Sequence, residues 1–114
     1  MKKILFSMFA CVCALMVLCG CDSPKKGFEE WRDAVADGKA DKAMERVTKN
    51  MKELTALLAA SCKDEKEEAQ KIRNMGVISV EENGDKATLK YTNQDGKIEE
   101  AQMVKEDGKW KIDR

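Results

Sequence analysis

The chain has 114 residues, 43% of them hydrophobic and 37% charged, and its 21 basic and 21 acidic side chains leave no formal net charge. This balance, without an arginine-rich or aromatic-interleaved basic stretch, argues against nucleic acid as a partner. The chain has no histidine, so it lacks the usual near-neutral base and the commonest metal ligand. The sequence also has no metal-ligand cluster and no phosphate-cradling glycine loop, so we expect neither a metal nor another cofactor.

The first 20 residues have the outline of a signal peptide. Lys2 and Lys3 precede an apolar run over residues 4–18, which only Ser7 interrupts. A helix over this run would be about 22 Å long, whereas the hydrocarbon core of a bilayer is roughly 30 Å thick. The sequence therefore disfavours a simple transmembrane anchor.

The end of the apolar run, Leu18-Cys19-Gly20-Cys21, resembles the lipobox of bacterial lipoproteins. In that family a diacylglyceryl group is attached to the cysteine that matches Cys21, the signal is cut just before it, and the new amino terminus is acylated. The resemblance implies a lipoprotein of the bacterial cell envelope, held to the lipid bilayer through acylated Cys21. The alternative is that Cys21 is an ordinary cysteine, or a disulfide partner of Cys62.

Cleavage before Cys21 would leave 94 residues, enough for one small domain and too few for two. We expect a signal peptide at residues 1–20, a lipidated polar tether at 21–27 and the folded domain at 28–114. In this scheme Cys62 is the only free thiol.

The helical part of the domain is predicted from the spacing of its apolar residues. Phe28, Trp31 and Val35 indicate one helix, which Gly38 would end. A third helix is expected from Asp64 to Gly76. Between them an apolar stripe, which Leu57 would widen, starts near Asp41 and consists of Met44, Val47, Met51, Leu54 and Leu58. Whether this second segment bends near Asn50 is left open.

After Gly76 the apolar period changes to two, which predicts strands. Residues 77–81, 86–92, 97–105 and 109–113 are separated by Asn-Gly or Asp-Gly pairs, which supply the positive φ angles of tight hairpins. The expected fold class is α+β, with two or three N-terminal helices packed on a curved four-stranded antiparallel meander sheet.

The turns also predict the strand register. Two-residue turns at Asn83-Gly84 and Asp107-Gly108 would pair Val80 with Ala87, Ile78 with Leu89, Lys105 with Trp110, and Met103 with Ile112. Joining these two hairpins so that Leu89 meets Ala101 and Ala87 meets Met103 requires a β-bulge near Glu99 and Glu100. A different loop length at residues 93–96 is the alternative.

Three segments resemble a known family. They are Phe28-Glu29-Glu30-Trp31, the stretch DGKADKAMERV at residues 37–47, and the ending VKEDGKWKID at residues 104–113. Together they resemble small bacterial envelope lipoproteins with a nuclear-transport-factor-2-like domain, in the branch called lumazine-binding-like or uncharacterised. The resemblance covers roughly residues 26–114 and implies an α+β cone, with helices in the concavity of a bent sheet.

Three functions remain open. The first is a non-catalytic module that binds a small apolar ligand or an envelope protein, with a lining drawn from Trp31, Met44, Val47, Met51, Tyr91, Met103 and Trp110; the alternative for each residue is plain core. The second is an enzyme that uses Glu99 or Glu100 as a pocket carboxylate with a raised pKa, although the favoured interpretation of both is an exposed charge pair on a strand. The third is a helical hairpin at residues 41–75 that serves assembly.

Overall fold

The computed structural model describes residues 22–114, so the expected signal peptide and Cys21 lie outside the described residues. No helix in residues 22–114 is both long and apolar enough to cross a membrane. The elements in chain order are α1 (Pro24–Ala36), α2 (Ala40–Met44), a 3₁₀ turn (Lys49–Met51), α3 (Lys52–Asp64), α4 (Lys66–Arg73), β1 (Val77–Asn83), β2 (Lys86–Thr92), β3 (Ile98–Glu106) and β4 (Lys109–Ile112).

The strands form the expected meander. The sheet order is β1-β2-β3-β4, and each neighbouring pair is antiparallel. In the last hairpin the predicted pairs Lys105–Trp110 and Met103–Ile112 are both confirmed. Asp107 and Gly108 have φ angles of 52° and 79°, the left-handed values that a type I′ turn needs at both central positions. The α+β prediction and the C-terminal register are therefore correct.

The register of the first hairpin differs from the prediction. Val80 pairs with Leu89, and Asn83 pairs with Lys86, so the two-residue loop is Gly84-Asp85 instead of Asn83-Gly84. Gly84 has a φ of 67° and stands first in the loop, where type II′ turns favour glycine. The Asn-Gly pattern therefore identified the residue with positive φ but not its position in the turn. Ile78, expected on the inner face, is about half exposed.

The predicted bulge near Glu99 and Glu100 is absent. The β2–β3 pairing is unbroken from Lys86–Val104 to Thr92–Ile98, and a longer loop over residues 93–97 supplies the offset. This is the alternative of a different loop length, and it brings Leu89 against Ala101 and Ala87 against Met103 as expected. The irregularity of the sheet lies instead in β1, between Val77 and Ser79.

Helix α1 begins four residues before the predicted start at Phe28. Ser23 is its N-cap and its Oγ accepts a hydrogen bond from the backbone amide of Lys26, while Pro24 occupies the first turn. Serine followed by proline is a common helix start, which the polar composition of the segment concealed. A Cβ on Gly27 would lie 2.7 Å from the Trp110 carbonyl oxygen, so the first turn packs closely on β4. Residues 22–27, predicted as a tether, belong to the packed body.

The second helical segment is not continuous. After α2 the chain runs beside β4, where Val47 forms a parallel bridge with Ile112. The Ile112 amide donates to the Arg46 carbonyl at 2.8 Å, and the Thr48 amide donates to the Ile112 carbonyl at 2.9 Å. The backbone of residues 46–48 thus forms hydrogen bonds with the edge of β4 instead of continuing the helix that the apolar spacing predicted. In α3, Leu54 is 49% and Leu57 is 64% exposed, so the expected widening of the buried stripe is wrong.

The core fills the space between the helices and the concave face of the sheet. Phe28, Trp31 and Val35 of α1 are buried, as their spacing predicted. The Trp31 indole donates from Nε1 to Thr55 Oγ1 at 3.2 Å, and Thr55 is fully buried in α3. The sheet contributes buried side chains of Ala87, Leu89, Ala101, Met103, Trp110 and Ile112.

Candidate functional site

The most specialised polar arrangement is built around Arg46, in the segment between α2 and the 3₁₀ turn. Its guanidinium group is buried and forms ion pairs with two carboxylates. Nη1 and Nη2 donate to the two carboxylate oxygens of Asp22 at 2.6 and 3.1 Å. Nε and Nη2 also donate to Oε1 of Glu30, at 3.1 and 2.7 Å. One side chain therefore joins the first described residue to helix α1.

The same group reaches strand β4. Arg46 Nη1 donates to the Trp110 carbonyl oxygen at 3.3 Å, and the Trp110 amide donates to Oδ2 of Asp22 at 2.8 Å. The fork of the guanidinium group suits this arrangement because its donors are rigidly placed and it stays charged. We call Asp22, Glu30, Arg46 and the Trp110 backbone the Arg46 cluster.

The hydrogen bonds of the Arg46 cluster shift the pKa values of Asp22 and Arg46. Burial alone would raise the pKa of Asp22, but the hydrogen bonds from Arg46 and the Trp110 amide outweigh it and hold the pKa below its ordinary value of 3.8. Burial would likewise lower the pKa of Arg46, and its bonds to Asp22 and Glu30 raise it instead. Both groups are therefore charged in the folded protein near neutral pH.

The residues predicted to line a pocket are placed mostly inside the core. Trp31, Val47, Met103 and Trp110 are at most 5% exposed. Met44, Met51 and Tyr91 are partly buried and pack against the same core. The structure brings these seven residues to one hydrophobic interior, where their side chains contact each other and their neighbours. Of the seven, Met44 also borders a surface depression.

Two open depressions mark the surface beside β4. The first encloses about 500 Å³ and is lined by Met44 and seven charged residues, namely Asp41, Glu45, Lys52, Glu106, Asp107, Lys109 and Lys111. The second is of similar size and is lined largely by lysines, acidic side chains and the exposed Asn50. Both are open to solvent and lined mostly by charged or polar residues, unlike the enclosed apolar cavities that hold most small ligands.

The two acidic residues named as catalytic candidates lie elsewhere. Glu99 and Glu100 are exposed on β3, and Glu100 pairs with Lys90 across the sheet. The Glu99 carboxylate accepts hydrogen bonds from the Tyr91 hydroxyl and from the side-chain amide of Asn93. Burial first, and then Glu99, raise the pKa of Tyr91. This is a solvated hydrogen-bond group at the open end of the sheet, without an enclosed substrate site around it.

Three further observations limit the available chemistry within residues 22–114. Cys62 is a buried free thiol, and burial raises its pKa, which is the reverse of an activated cysteine. In this range no group of three or more cysteine and acidic side chains is placed to hold a metal ion. Every buried side-chain nitrogen or oxygen there has a hydrogen-bond partner. The described residues thus leave no unpaired buried polar atom to receive a ligand.

Sequence reasoning missed the Arg46 cluster. Asp22 and Arg46 are 24 positions apart, and no periodic pattern links them. A usable signal was the position of Arg46, a charge directly beside Val47 in the predicted apolar stripe. A charged residue at the border of a buried stripe usually needs a buried partner.

The comparisons with known proteins agree with the architecture. No family model matches the chain, and no curated protein matches it. A solved structure from Campylobacter jejuni, named "Putative NTF2-like transpeptidase", is similar with a TM-score of 0.52 and 11% identity. The alignment covers 75% of this chain and 93% of that chain. At this identity the likeness shows the fold alone, and we conclude that the chain has a nuclear-transport-factor-2-like (NTF2-like) fold.

Proposed function

We propose that this protein is a lipid-anchored, non-catalytic binding module of the bacterial cell envelope, which contacts a protein partner through its outer surface. One observation supports binding at the outer surface instead of in an internal pocket. The concave side of the sheet is filled by the protein's own side chains. Phe28, Leu89 and Met103 are each at most 1% exposed there. A small apolar ligand would have to displace them.

The anchor is supported by the order of features at the N terminus. The lipobox-like sequence ends at Cys21, and the packed body starts at the next residue. Lipid chains contribute about 0.8 kcal/mol per buried methylene, so two or more chains hold a protein this small without a spanning helix.

The depressions beside β4 argue against a small apolar ligand, and helix α3 offers a surface for a protein partner. Seven of the eight residues that line the first depression are charged, with four acidic and three basic side chains. Mixed charges on an open surface do not suit a small apolar ligand, which needs an enclosed apolar cavity. On α3, Leu54 and Leu57 add apolar surface one helical turn apart, which a partner could cover.

An enzymatic role has less support. A transpeptidase, as the Campylobacter protein is named, needs an activated nucleophile and a base within hydrogen-bond reach. In this chain Cys62 is buried with a raised pKa, and Glu99 hydrogen-bonds Tyr91 and Asn93 in solvent. Neither arrangement forms such a pair.

The anchor is tested by expressing the full chain in bacteria and measuring the mass of its N-terminal peptide. We expect a peptide that begins at Cys21 and carries a diacylglyceryl group and an amide-linked acyl chain. Cys21→Ala should release the protein from the membrane fraction, whereas the control Cys62→Ala should remain there. A chain that begins at Met1, or an unmodified thiol at Cys21, would overturn the proposal.

The mode of binding is tested on the protein extracted from its native membrane. Native mass spectrometry should show no stoichiometric small molecule, because the interior is filled. A photo-crosslinking residue at position 57 should give a discrete protein adduct in intact cells, and the control at the exposed position 95 should not. A tightly bound small molecule, or equal adducts at both positions, would contradict binding through this surface.

A further inference from the structure

We propose that the folded body is mounted on the bilayer without a tether, so that the end of the molecule that carries Asp22 faces anionic lipid headgroups in one orientation. This inference rests on the proposed function, because it requires lipid chains on Cys21. It goes further by assigning a membrane-facing surface and a role to the Arg46 cluster.

The first step is the position of the attachment. Asp22 follows Cys21 directly, and consecutive Cα atoms are only 3.8 Å apart. Asp22 is not loose: its side chain is 8% exposed and accepts two hydrogen bonds from Arg46 and one from the Trp110 amide. Ser23 caps α1, and Pro24 already lies within the helix. No flexible residue therefore separates a lipidated cysteine from the packed body.

The second step is the strength of the connection between this end and the rest of the fold. Arg46 ties Asp22 to Glu30 of α1 and to Trp110 of β4, so both the helix layer and the sheet are fixed to the attachment point. The close approach of Gly27 to the Trp110 carbonyl holds the first turn of α1 against β4. A movement of Asp22 relative to the rest of the body would break several of these contacts together.

The third step is the charge around the attachment. Lys25 and Lys26 are exposed in the first turn of α1, and Lys109 is exposed next to Trp110. Basic side chains close to a bilayer are attracted to anionic headgroups. Glu45 and Asp107 stand near Lys109 in the first depression and offset part of this charge. The covalent attachment therefore sets the orientation, and the three lysines support it.

The orientation predicts which end of the sheet is far from the membrane. Strand β3 runs for nine residues, roughly 30 Å, between the β2–β3 loop and the turn at Asp107-Gly108. Asp22 is bound at the second end, through Trp110. The β2–β3 loop, with the exposed Asp95, is accordingly the end remote from the attachment.

The test uses the full lipidated protein in vesicles of phosphatidylcholine and phosphatidylglycerol. Glu45→Cys reports on the attached end and Asp95→Cys on the remote end, each in a Cys62→Ala background and labelled with the same fluorophore. A quencher is carried on the lipid headgroups. We expect quenching to be several times stronger at position 45 than at position 95.

The matched control inserts a Gly-Ser linker of about 15 residues, with a root-mean-square length of roughly 20 Å, between Cys21 and Asp22. This variant keeps the lipid and the Arg46 cluster, and we expect the difference between the two positions to disappear. Equal quenching at both positions without the linker would overturn the inference while leaving the anchor intact. A protein that lacks lipid by mass and does not bind vesicles would overturn both this inference and the proposed function.

Discussion

The two ends of the sheet are held by different kinds of contact. At the end with the β3–β4 turn, a buried guanidinium group joins two carboxylates and a strand backbone. At the other end, Tyr91, Asn93 and Glu99 form hydrogen bonds in solvent. Buried ion pairs add little net stability compared with apolar packing, but removal of one partner is costly. The difference indicates that the first end fixes a geometry, whereas the second end is an ordinary polar surface.

The largest effect should come from removing the centre of the buried cluster. Arg46→Met removes the guanidinium group that donates two hydrogen bonds to the buried carboxylate of Asp22, so we expect the free energy of unfolding to fall by about 3 kcal/mol. Urea denaturation of the purified protein measures this loss. The control is Arg73→Met, which breaks an exposed pair with Asp37 and should cost less than about 1 kcal/mol. Equal losses in the two variants would contradict a special role for Arg46.

The contribution of Asp22 to the free energy of unfolding should depend on pH. Asp22→Asn removes the charge but keeps an acceptor for the Trp110 amide, and we expect it to lower the free energy of unfolding by about 2 kcal/mol at pH 7. Because the folded-state pKa of Asp22 is lowered, this stabilisation is present above the ordinary value of 3.8 and is lost as the pH falls through the folded-state pKa.

The difference between wild type and Asp22→Asn should accordingly shrink below pH 3.8. Denaturation curves at a series of pH values provide the comparison. A difference that persists unchanged at the acidic end would show that the effect of the substitution is not electrostatic.

The contact between Gly27 and β4 should reverse the usual effect of a glycine-to-alanine substitution on stability. Glycine to alanine within a helix normally stabilises by about 1 kcal/mol. At Gly27 the added Cβ would meet the Trp110 carbonyl oxygen at 2.7 Å, so we expect Gly27→Ala to destabilise the protein by about 2 kcal/mol. A gain in thermal stability would mean that α1 does not pack on β4 as described.

The smallest effects should come from the exposed polar end and from α3. Glu99→Gln and Leu57→Ser change side chains with large solvent exposure, and each should alter the free energy of unfolding by less than about 0.5 kcal/mol. Leu89→Ala, at a fully buried position in β2, is the contrast and should cost about 3 kcal/mol. A large loss in Leu57→Ser would show that α3 is covered in the folded protein.

Local patterns predicted the sheet better than the site. Alternation and the Asp107-Gly108 pair were sufficient for the β3–β4 register, because a turn that needs two left-handed residues leaves little choice. In the first hairpin Gly84 is the first residue of the two-residue loop and not the second, so the same reasoning gave a register that is wrong. Neither outcome depended on distant parts of the chain.

Long-range contacts explain what the sequence did not reveal. The bridge between Val47 and Ile112 overrides a helical stripe, and the need for Gly27 arises only when Trp110 is packed against it. The pairing of Asp22 with Arg46 likewise depends on tertiary structure. Residues 22–27 therefore resembled a tether in composition, although they form the start of the folded body.

The Trp110 amide reports directly on whether Asp22 is bound to β4, the contact that fixes the N terminus of the body to the sheet. Its hydrogen exchange, measured by NMR at neutral pH, should be slow in the wild-type protein because the amide donates to Asp22 Oδ2 at 2.8 Å. The same amide should exchange much faster in Asp22→Ala, while the amides of the β2–β3 pairing stay protected. Fast exchange at Trp110 in the wild type, or equal exchange in both proteins, would contradict the account.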